Sequence, residues 1–551
     1  MSDETLPPLT LGLRLRVLVR LLCSLRRHDF RAARTFMAMT FPNDGPFVRL
    51  VKFTGWALKQ IWCTIPDAMR HTRFAETVSK VPVWLKDGNP LENHPWASHP
   101  DAKLPSAADT VVIGCGLAGC AVAYHWGRKA PSDRTLVALD LGDAASGSAG
   151  RNEGLVVMGR YYHMVVKTVL TYLKDVRESP FALRKQRNFR GAKGDNPFAT
   201  CSDAELERLA HQFAARYAHA CYRNGDMVEQ TVRDEGFDCD YAREGWVQAR
   251  GEDEQASLAE SVQMALDTGY ADWTSITPDE VKRRTGMNVR HNAGFSIAAA
   301  SFHPAKWCWS LLNRAMESGK VEHYSRTKVL GIDNVVVRSA NQRSDRGAIS
   351  DSTGDDYIIR TERGDIRARH VVLCTESYTP LLMPQFHDLI RPTQTQAASG
   401  PGGPPAMKPH VGISGARGFF GRHGNETMIG SDATRVPDHE AGRIQPSRFL
   451  THYLCAELQS AFGRAPYTIT NEWSGTVTYT PDEYPVVGVF DGRRQYILGG
   501  MAGSGTAVSF NGGRCIVNRI LGDTSEPDDY PDAYFSPMRL LDPNNHSWPE
   551  L

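Results

Sequence analysis

The chain of 551 residues has no surplus of charge of either sign: 63 Lys and Arg stand against 62 Asp and Glu, for a net charge of +1. That balance removes the global basic field expected of a nucleic-acid binder. Organised cysteine is also missing. The 11 cysteines are odd in number, scattered and free of any Cys-x-x-Cys pair. A disulfide framework or a zinc site is therefore not expected, and reduced intracellular thiols are. No charge-free apolar run approaches the roughly 18 residues of a membrane span. The arginines between Leu13 and Leu25 interrupt what a secretory core would need, and no C-terminal address tripeptide is evident, so a cytoplasmic location is expected. Internal repeats are absent. What remains is 41% hydrophobic and 23% charged, a soluble globular composition. The length suggests roughly two to four structural units.

One stretch departs from this evenness. LGLRLRVLVRLLCSLRRHDF, residues 11–30, is apolar and arginine-rich. On a helix, Leu11, Leu15, Leu18, Leu22 and Leu25 share one stripe, and Arg16, Arg20 and Arg27 share another. The favoured expectation is a helix packed on the body with its arginines in water. The alternative is peripheral contact with an anionic membrane surface. Residues 80–109, rich in proline, read as an extended linker.

Beyond the linker the pattern changes. Asp109–Ile113 is a β-branched strand, Gly114–Gly119 a glycine turn, Ala118–Arg128 a helix and Thr135–Leu141 a second strand. This is the first βαβ unit of a doubly wound sheet. In Gly114-Cys115-Gly116-Leu117-Ala118-Gly119, the first glycine makes the tight turn and the second lets the backbone approach a pyrophosphate. The third lets helix and strand pack closely. The helix start then offers N–H groups and partial positive charge to phosphates. Asp140 ends the second strand, where an acid is expected to bind a ribose hydroxyl pair.

Residues 160–290 read as mostly helical, with a Ser202-x-x-Glu205 capping box opening the segment 202–236. RKQRNFRGAKGDNP, residues 184–197, reads as a solvated basic loop, or more sharply as a lid. Residues 302–319 form a helix that ends at Gly319, and His303 before Pro304 is expected to cap it. VEHYSRTKVLGID reads as one strand and 357–375 as a hairpin running into a buried strand. Residues 386–475 alternate as an antiparallel sheet, and 485–522 give strand, glycine loop and helix.

The segment after the second strand points to the nucleotide. Ala145-Ser146-Gly147-Ser148-Ala149-Gly150-Arg151-Asn152-Glu153-Gly154 resembles the ASGxxGRNxG segment of the D-amino-acid-oxidase-type superfamily of FAD-dependent oxidoreductases. Three further segments resemble the same family: Phe302-His303-Pro304; VVLCTESYTPLL at 371–382; and Trp473-Ser474-Gly475 with Thr480–Gly488 and the glycine loop 499–506. The closest motifs belong to the glycine/D-amino acid oxidase and γ-glutamylputrescine oxidoreductase-like branch. The resemblance spans roughly residues 108–522. It implies non-covalent FAD, since no covalent-flavin His or Cys is recognisable. It makes NAD unlikely as the bound nucleotide, because nothing after Asp140 resembles a nicotinamide site.

The resemblance implies cofactor contacts at Gly114, Gly116, Leu117, Ala118, Gly119 and Asp140, then at Ser146, Arg151, Asn152 and Gly154. Further contacts are implied at Val329 and Thr375, and at Gly499, Gly503, Ser504, Gly505 and Thr506 in the closing loop. It also implies oxidation of a C–N bond to an imine, with oxygen, a quinone or a carrier as acceptor. The alternatives are a membrane-associated dehydrogenase and a flavin-bound protein without turnover. No metal and no nucleic-acid partner is expected.

The fold class that follows is α/β. A Rossmann-type FAD-binding domain (108–200, 301–385, 476–522) joins an antiparallel-sheet substrate domain (201–300, 386–475), with a helical N-terminal extension (1–107) and a tail (523–551). One departure bears on substrate. Where many amino-acid oxidases of the family carry an arginine that clamps the carboxylate, alignment on Thr480-Pro481-Asp482 places Val477. Either Arg391, Arg417 or Arg422 replaces it, or the substrate is an amine or bears a remote carboxylate. Candidate substrate-side residues are Tyr161, His163, Glu376 and Tyr479, with Arg160, Tyr162 and Trp473 nearby.

Overall fold

The computed structural model describes the chain apart from residues 1–8, 25–36, 38–40, 42–43, 93–94, 100, 158–161, 179–196, 268, 270–271, 336–355, 416–417, 438–444, 491–493 and 550–551. Nearly all of the basic loop 184–197 thus lies outside the described residues.

Helices α1 (Leu11–Ser24) and α2 (Pro46–Lys59) come first, with a proline opening α2. Strand β1 (Thr72–Ser79) follows them. β2 (Ala107–Ile113) then runs into α3 (Leu117–Lys129) and β3 (Leu136–Leu139). The helical stretch contains α4 (Tyr162–Glu178) and α5 (Asp203–Glu235). The expected capping box opens α5: the Ser202 hydroxyl accepts the Glu205 N–H, and the Glu205 carboxylate accepts the Ser202 N–H at 2.7 Å. β4 (Trp246–Gln248) precedes α6 (Pro304–Glu317), whose cap is the His303 ring, accepting the Lys306 N–H at 3.2 Å. β5 (Val321–Tyr324), β6 (Gly364–Leu373), β7 (Arg391–Pro401) and β8 (Glu426–Pro437) lead to α7 (Arg448–Phe462). β9 (Tyr467–Tyr479), β10 (Val486–Phe490), β11 (Gln495–Gly499) and α8 (Gly505–Leu521) complete the core. The single strand expected over 321–333 is divided. Arg326 adopts φ 49° after β5, and a second strand, Val329–Val335, starts in a new direction.

The first sheet has eight strands: β5–β3–β2–β6–β11 run parallel, β10 pairs antiparallel with β11, and Asp356–Thr361 and Val329–Val335 extend β6 antiparallel, with Thr110 opposite Leu136 and Val111 opposite Val371. Its central strands end in continuous buried runs, Val111–Ile113 and Val371–Leu373, as a sheet covered on both faces requires. α3 packs tightly against α6 and α8. A Cβ on Gly127 would lie 3.1 Å from the Ala315 Cα, and one on Gly513 would lie 2.9 Å from the Ala121 Cβ. The second sheet has nine strands, with β1–β9–β7–β8 at one end and β4 toward the other. β9, β7 and β8 are antiparallel, whereas β1 joins β9 in parallel, with Thr72 opposite Tyr467.

The N-terminal stretch and the C-terminal tail pack into the body of the chain. β1 forms an edge of the second sheet, and the stretch expected as linker buries Trp84 and Trp96. At the other end Arg539 is 1% exposed and donates through Nε to Asp482 at 2.7 Å. It also donates to the carbonyls of Tyr484 and Pro485. Asp482, within the Thr-Pro-Asp motif, is thus held by the C-terminal tail.

Candidate cofactor and substrate site

Two of the three motif glycines are required by the protein's own backbone. Gly114 has φ 100° and donates to the Leu139 carbonyl at 2.7 Å; a Cβ on it would meet the Cys374 carbonyl oxygen at 2.5 Å. A Cβ on Gly119 would lie 1.8 Å from the Gly114 oxygen. Gly116 differs: a Cβ there meets only the Ala149 Cβ, at 3.5 Å. Gly116 also caps α3 with no side-chain hydrogen bond, so the N–H groups of the first turn carry no capping side chain among the described residues. Asp140 turns back toward this loop. Its carboxylate accepts the Cys115 N–H at 2.6 Å and the Gly142 N–H at 2.8 Å, while burial raises its pKa. The Asp140 carbonyl accepts the Thr327 N–H at 2.7 Å, which brings buried Val329 into the same neighbourhood.

The 146–154 loop is pinned from three sides. Arg151 donates to the Ser146 carbonyl at 3.1 Å and to the Ser474 carbonyl of β9 at 3.2 Å. Asn152 donates to the Ala149 carbonyl at 2.9 Å and accepts the Gly154 N–H at 2.8 Å. Two indoles hold the backbone carbonyls: Trp473 donates to that of Arg151 at 3.1 Å and Trp84 to that of Asn152 at 2.8 Å. Gly154, at φ 74°, leaves the space Trp84 fills, since a Cβ there would come within 2.5 Å of the indole. Trp84 also meets His303 and His423 edge-on, at 5.0 and 4.3 Å between ring centroids.

The closing loop stands beside the first. Gly500, Ala502 and Gly503 all have positive φ, and the Ser504 N–H donates to the Met501 carbonyl at 2.7 Å. α8 then starts with no side-chain cap, its first turn fixed by Asn224 of α5, which donates to the Thr506 carbonyl at 2.8 Å. A Cβ on Gly505 would lie 3.8 Å from the Leu117 Cδ1, so the starts of α3 and α8 adjoin. Glu376, one residue past Thr375 at the end of β6, reaches into this loop. It adopts φ 44°, accepts the Met501 N–H at 3.2 and 3.3 Å, and accepts the Thr478 hydroxyl. Burial raises its pKa, against the hydrogen bonds from Thr478, Met501 and Gly500.

β9 supplies the facing wall. Gly475, Val477 and Tyr479 share one face, since strand side chains alternate. A Cβ on Gly475 would lie 3.5 Å from the Arg151 Cβ, and one on Gly503 would lie 3.8 Å from the Val477 Cγ1. Directly opposite on β7 stand Thr395, Thr393 and Arg391. Of the three arginines considered as substitutes for a carboxylate clamp, Arg391 therefore shares this face, two positions along the strand from the residue opposite Val477. The Arg391 Nε donates to the Asp388 carbonyl at 2.8 Å, Arg422 donates to the Pro404 carbonyl at 3.1 Å, and Arg417 lies outside the described residues. Arg160 and Tyr161 also lie outside the described residues, and of Tyr162 and His163 only the backbone, in the first turn of α4, is described.

Five segments far apart in sequence thus converge on two adjoining, uncapped helix starts. The model of the family described as "DAO: FAD dependent oxidoreductase" matches residues 109–519. The chain belongs to the DAO family of FAD-dependent oxidoreductases. Among curated proteins none matches the chain. Among solved structures, an L-proline dehydrogenase from P. horikoshii is similar at 17% identity and TM-score 0.56, covering 79% of this chain and 98% of its own. An L-amino acid deaminase from Proteus vulgaris, with its specific insertion deleted, is 17% identical at TM-score 0.55, covering 78% and 94%. A glycine oxidase from Bacillus cereus is 15% identical at TM-score 0.54, covering 81% and 99%. These likenesses carry the fold.

The DAO-family cofactor is FAD, and the site fits a dinucleotide. Gly116 leaves the α3 start open, and the uncapped start of α8 adds a second positive pole. Sequence reasoning missed Trp84, which lies in the proline-rich stretch, and the tie between Glu376 and Thr478. The only sequence signal for Trp84 was an apolar aromatic in a segment otherwise read as linker.

Proposed function

We propose that the chain oxidises the C–N bond of an amine, or of an amino compound whose carboxylate lies away from the reacting carbon. FAD supplies the two-electron acceptor for that step. The phosphates would lie against the Gly114–Gly119 turn and the start of α3, with Asp140 toward the ribose. The 146–154 loop and the closing loop would flank the ring. The start of α8 would favour negative charge on the ring. Non-covalent attachment would release the yellow cofactor when the protein is precipitated with acid.

The observation that carries the substrate class is Val477, which faces the closing loop where a carboxylate clamp would otherwise stand. Around it the wall offers Thr393, Thr395 and Tyr479. Thr478, on the other face of β9, and the Met501 N–H hold the buried acid Glu376, and Arg391 stands at the far end of the wall for a remote carboxylate. These groups orient the amine and exclude water; the reaction needs no strong protein base. Oxygen, a quinone or another carrier would reoxidise the cofactor. Peroxide released in step with substrate consumption would mark an oxidase, and dye reduction without peroxide would mark a dehydrogenase. Mixing the yellow protein anaerobically with a panel of amines and D- and L-amino acids tests the assignment. Bleaching by amines supports it, and no bleaching by any compound would leave a flavin protein without turnover.

A further inference from the structure

The N-terminal helices present a surface that the flavin site does not use. α2 has two unlike sides. Phe53 and Trp56 pack against the core of the second sheet, while Phe47, Val51 and Leu58 lie on one outward stripe, Phe47 being 77% exposed. α1 repeats the pattern, with Leu13 and fully buried Val17 against the same core and Leu11, Leu15 and Val19 outward. Inward packing of α1, the favoured expectation, is therefore found, but through Leu13 and Val17 rather than the leucine stripe, which at Leu11 and Leu15 faces out. Arg14 ties the two helices together. It donates to the Trp62 carbonyl at 2.7 Å, just beyond α2, and lies over the Trp62 ring at 5.6 Å.

Nine of the sixteen large apolar side chains exposed among the described residues fall between positions 11 and 62. Such concentration marks an interaction surface rather than ordinary scatter. Charge is as uneven. Residues 9–62 carry ten Lys and Arg against two Asp and no Glu, in a chain of net charge +1. Exposed Arg16 and Lys59 flank the apolar stripes, and neither helix has an acid in its first turn. No helix among the described residues is long and apolar enough to cross a membrane, so such a face would lie on a surface rather than span it.

We propose that α1 and α2 form a docking face for an anionic lipid surface. Phe47, Val51 and Leu58 enter the boundary between headgroups and acyl chains, and Arg16 and Lys59 meet acidic headgroups. Charge selects this occupant over a second copy of the chain. A two-fold self-contact would bring the same basic patch against itself, whereas anionic lipid neutralises it. The inference is independent of the reaction proposed above, which is read without vesicles.

The test is cosedimentation of the full flavin-loaded chain with phosphatidylglycerol-rich vesicles and with phosphatidylcholine vesicles. The expected result is salt-sensitive binding to the anionic vesicles, about tenfold or more tighter than to the neutral ones. Phe47→Asp with Val51→Asp, and separately Arg16→Glu with Lys59→Glu, are expected to weaken binding about tenfold or more at unchanged flavin content. All four side chains are exposed, so folding is retained. Wild-type protein left in the supernatant, equal binding to both vesicle types, or variants that bind as wild type would overturn the proposal. So would light scattering that shows a dimer split by Phe47→Asp, which would assign the face to a second copy.

Discussion

The cofactor side of the site and the β9 wall opposite it are made of different material. On the cofactor side, backbone does the shaping: Gly114 and Gly119 are forced by carbonyl oxygens at 2.5 and 1.8 Å from any added Cβ, and α3 and α8 both start without a side-chain cap. On the wall, side chains do it: Val477, Tyr479 and, across on β7, Thr393 and Arg391. A surface built from backbone tolerates few alternatives and stays recognisable. A surface built from side chains can be changed one residue at a time without disturbing the strand beneath. Substrate choice is therefore expected on the wall, and cofactor choice in the loops.

Gly119 and Gly116 separate the demands of fold and ligand. Gly119→Val should leave no folded, yellow protein, because the clash is with backbone. At Gly116 an added Cβ meets only the Ala149 Cβ, at ordinary contact distance, so Gly116→Leu should fold with near wild-type circular dichroism yet lose bound flavin. Yellow protein from the Gly116 variant would break the distinction. Trp84→Ala comes next. The indole is 2% exposed, fills the space beside Gly154 and holds the Asn152 carbonyl. A loss of about 3–5 kcal/mol is expected in denaturant unfolding, together with weaker flavin retention.

The glycine spacing made the loops legible, and the antiparallel pattern made the β7–β9 region legible. The wall's contents were only partly so, because which strand face points at the cofactor depends on register with β7, a long-range property. Val477 was identified by alignment on a motif, but the position of Arg391 on the same face needed the pairing. Trp84 and β1 were hidden for a related reason. Prolines bracket a short segment whose burial comes entirely from residues far along the chain, Gly154 and Tyr467 among them.

Smaller effects should appear in pH dependence. Burial raises the Glu376 pKa, so the folded protein holds that proton more tightly than the unfolded chain. Its contribution is complete below an unfolded value of about 4.3 and declines as pH rises through the folded value. Glu376→Gln should remove that decline, raising the Tm relative to wild type more at neutral than at acid pH; a constant offset would contradict this. Buried histidines act in the opposite direction. His323, His370 and His423 are each pushed down to about 4 by burial. The unfolded chain therefore takes up protons that the folded one refuses, and wild-type stability should fall as pH drops from about 6.5 toward 4. Urea midpoints across that window give the check. The smallest effect belongs to Arg391→Ala. It should raise KM severalfold for a substrate with a remote carboxylate and leave a simple amine unaffected; equal loss for both would remove Arg391 from substrate contact.

The most direct measurement is anaerobic mixing of the yellow protein with an amine and with its matching α-amino acid, following the flavin's visible absorption. With Val477 where a carboxylate clamp would stand, the amine should bleach the flavin at low concentration and the α-amino acid should not. Bleaching by the α-amino acid alone would contradict the assignment.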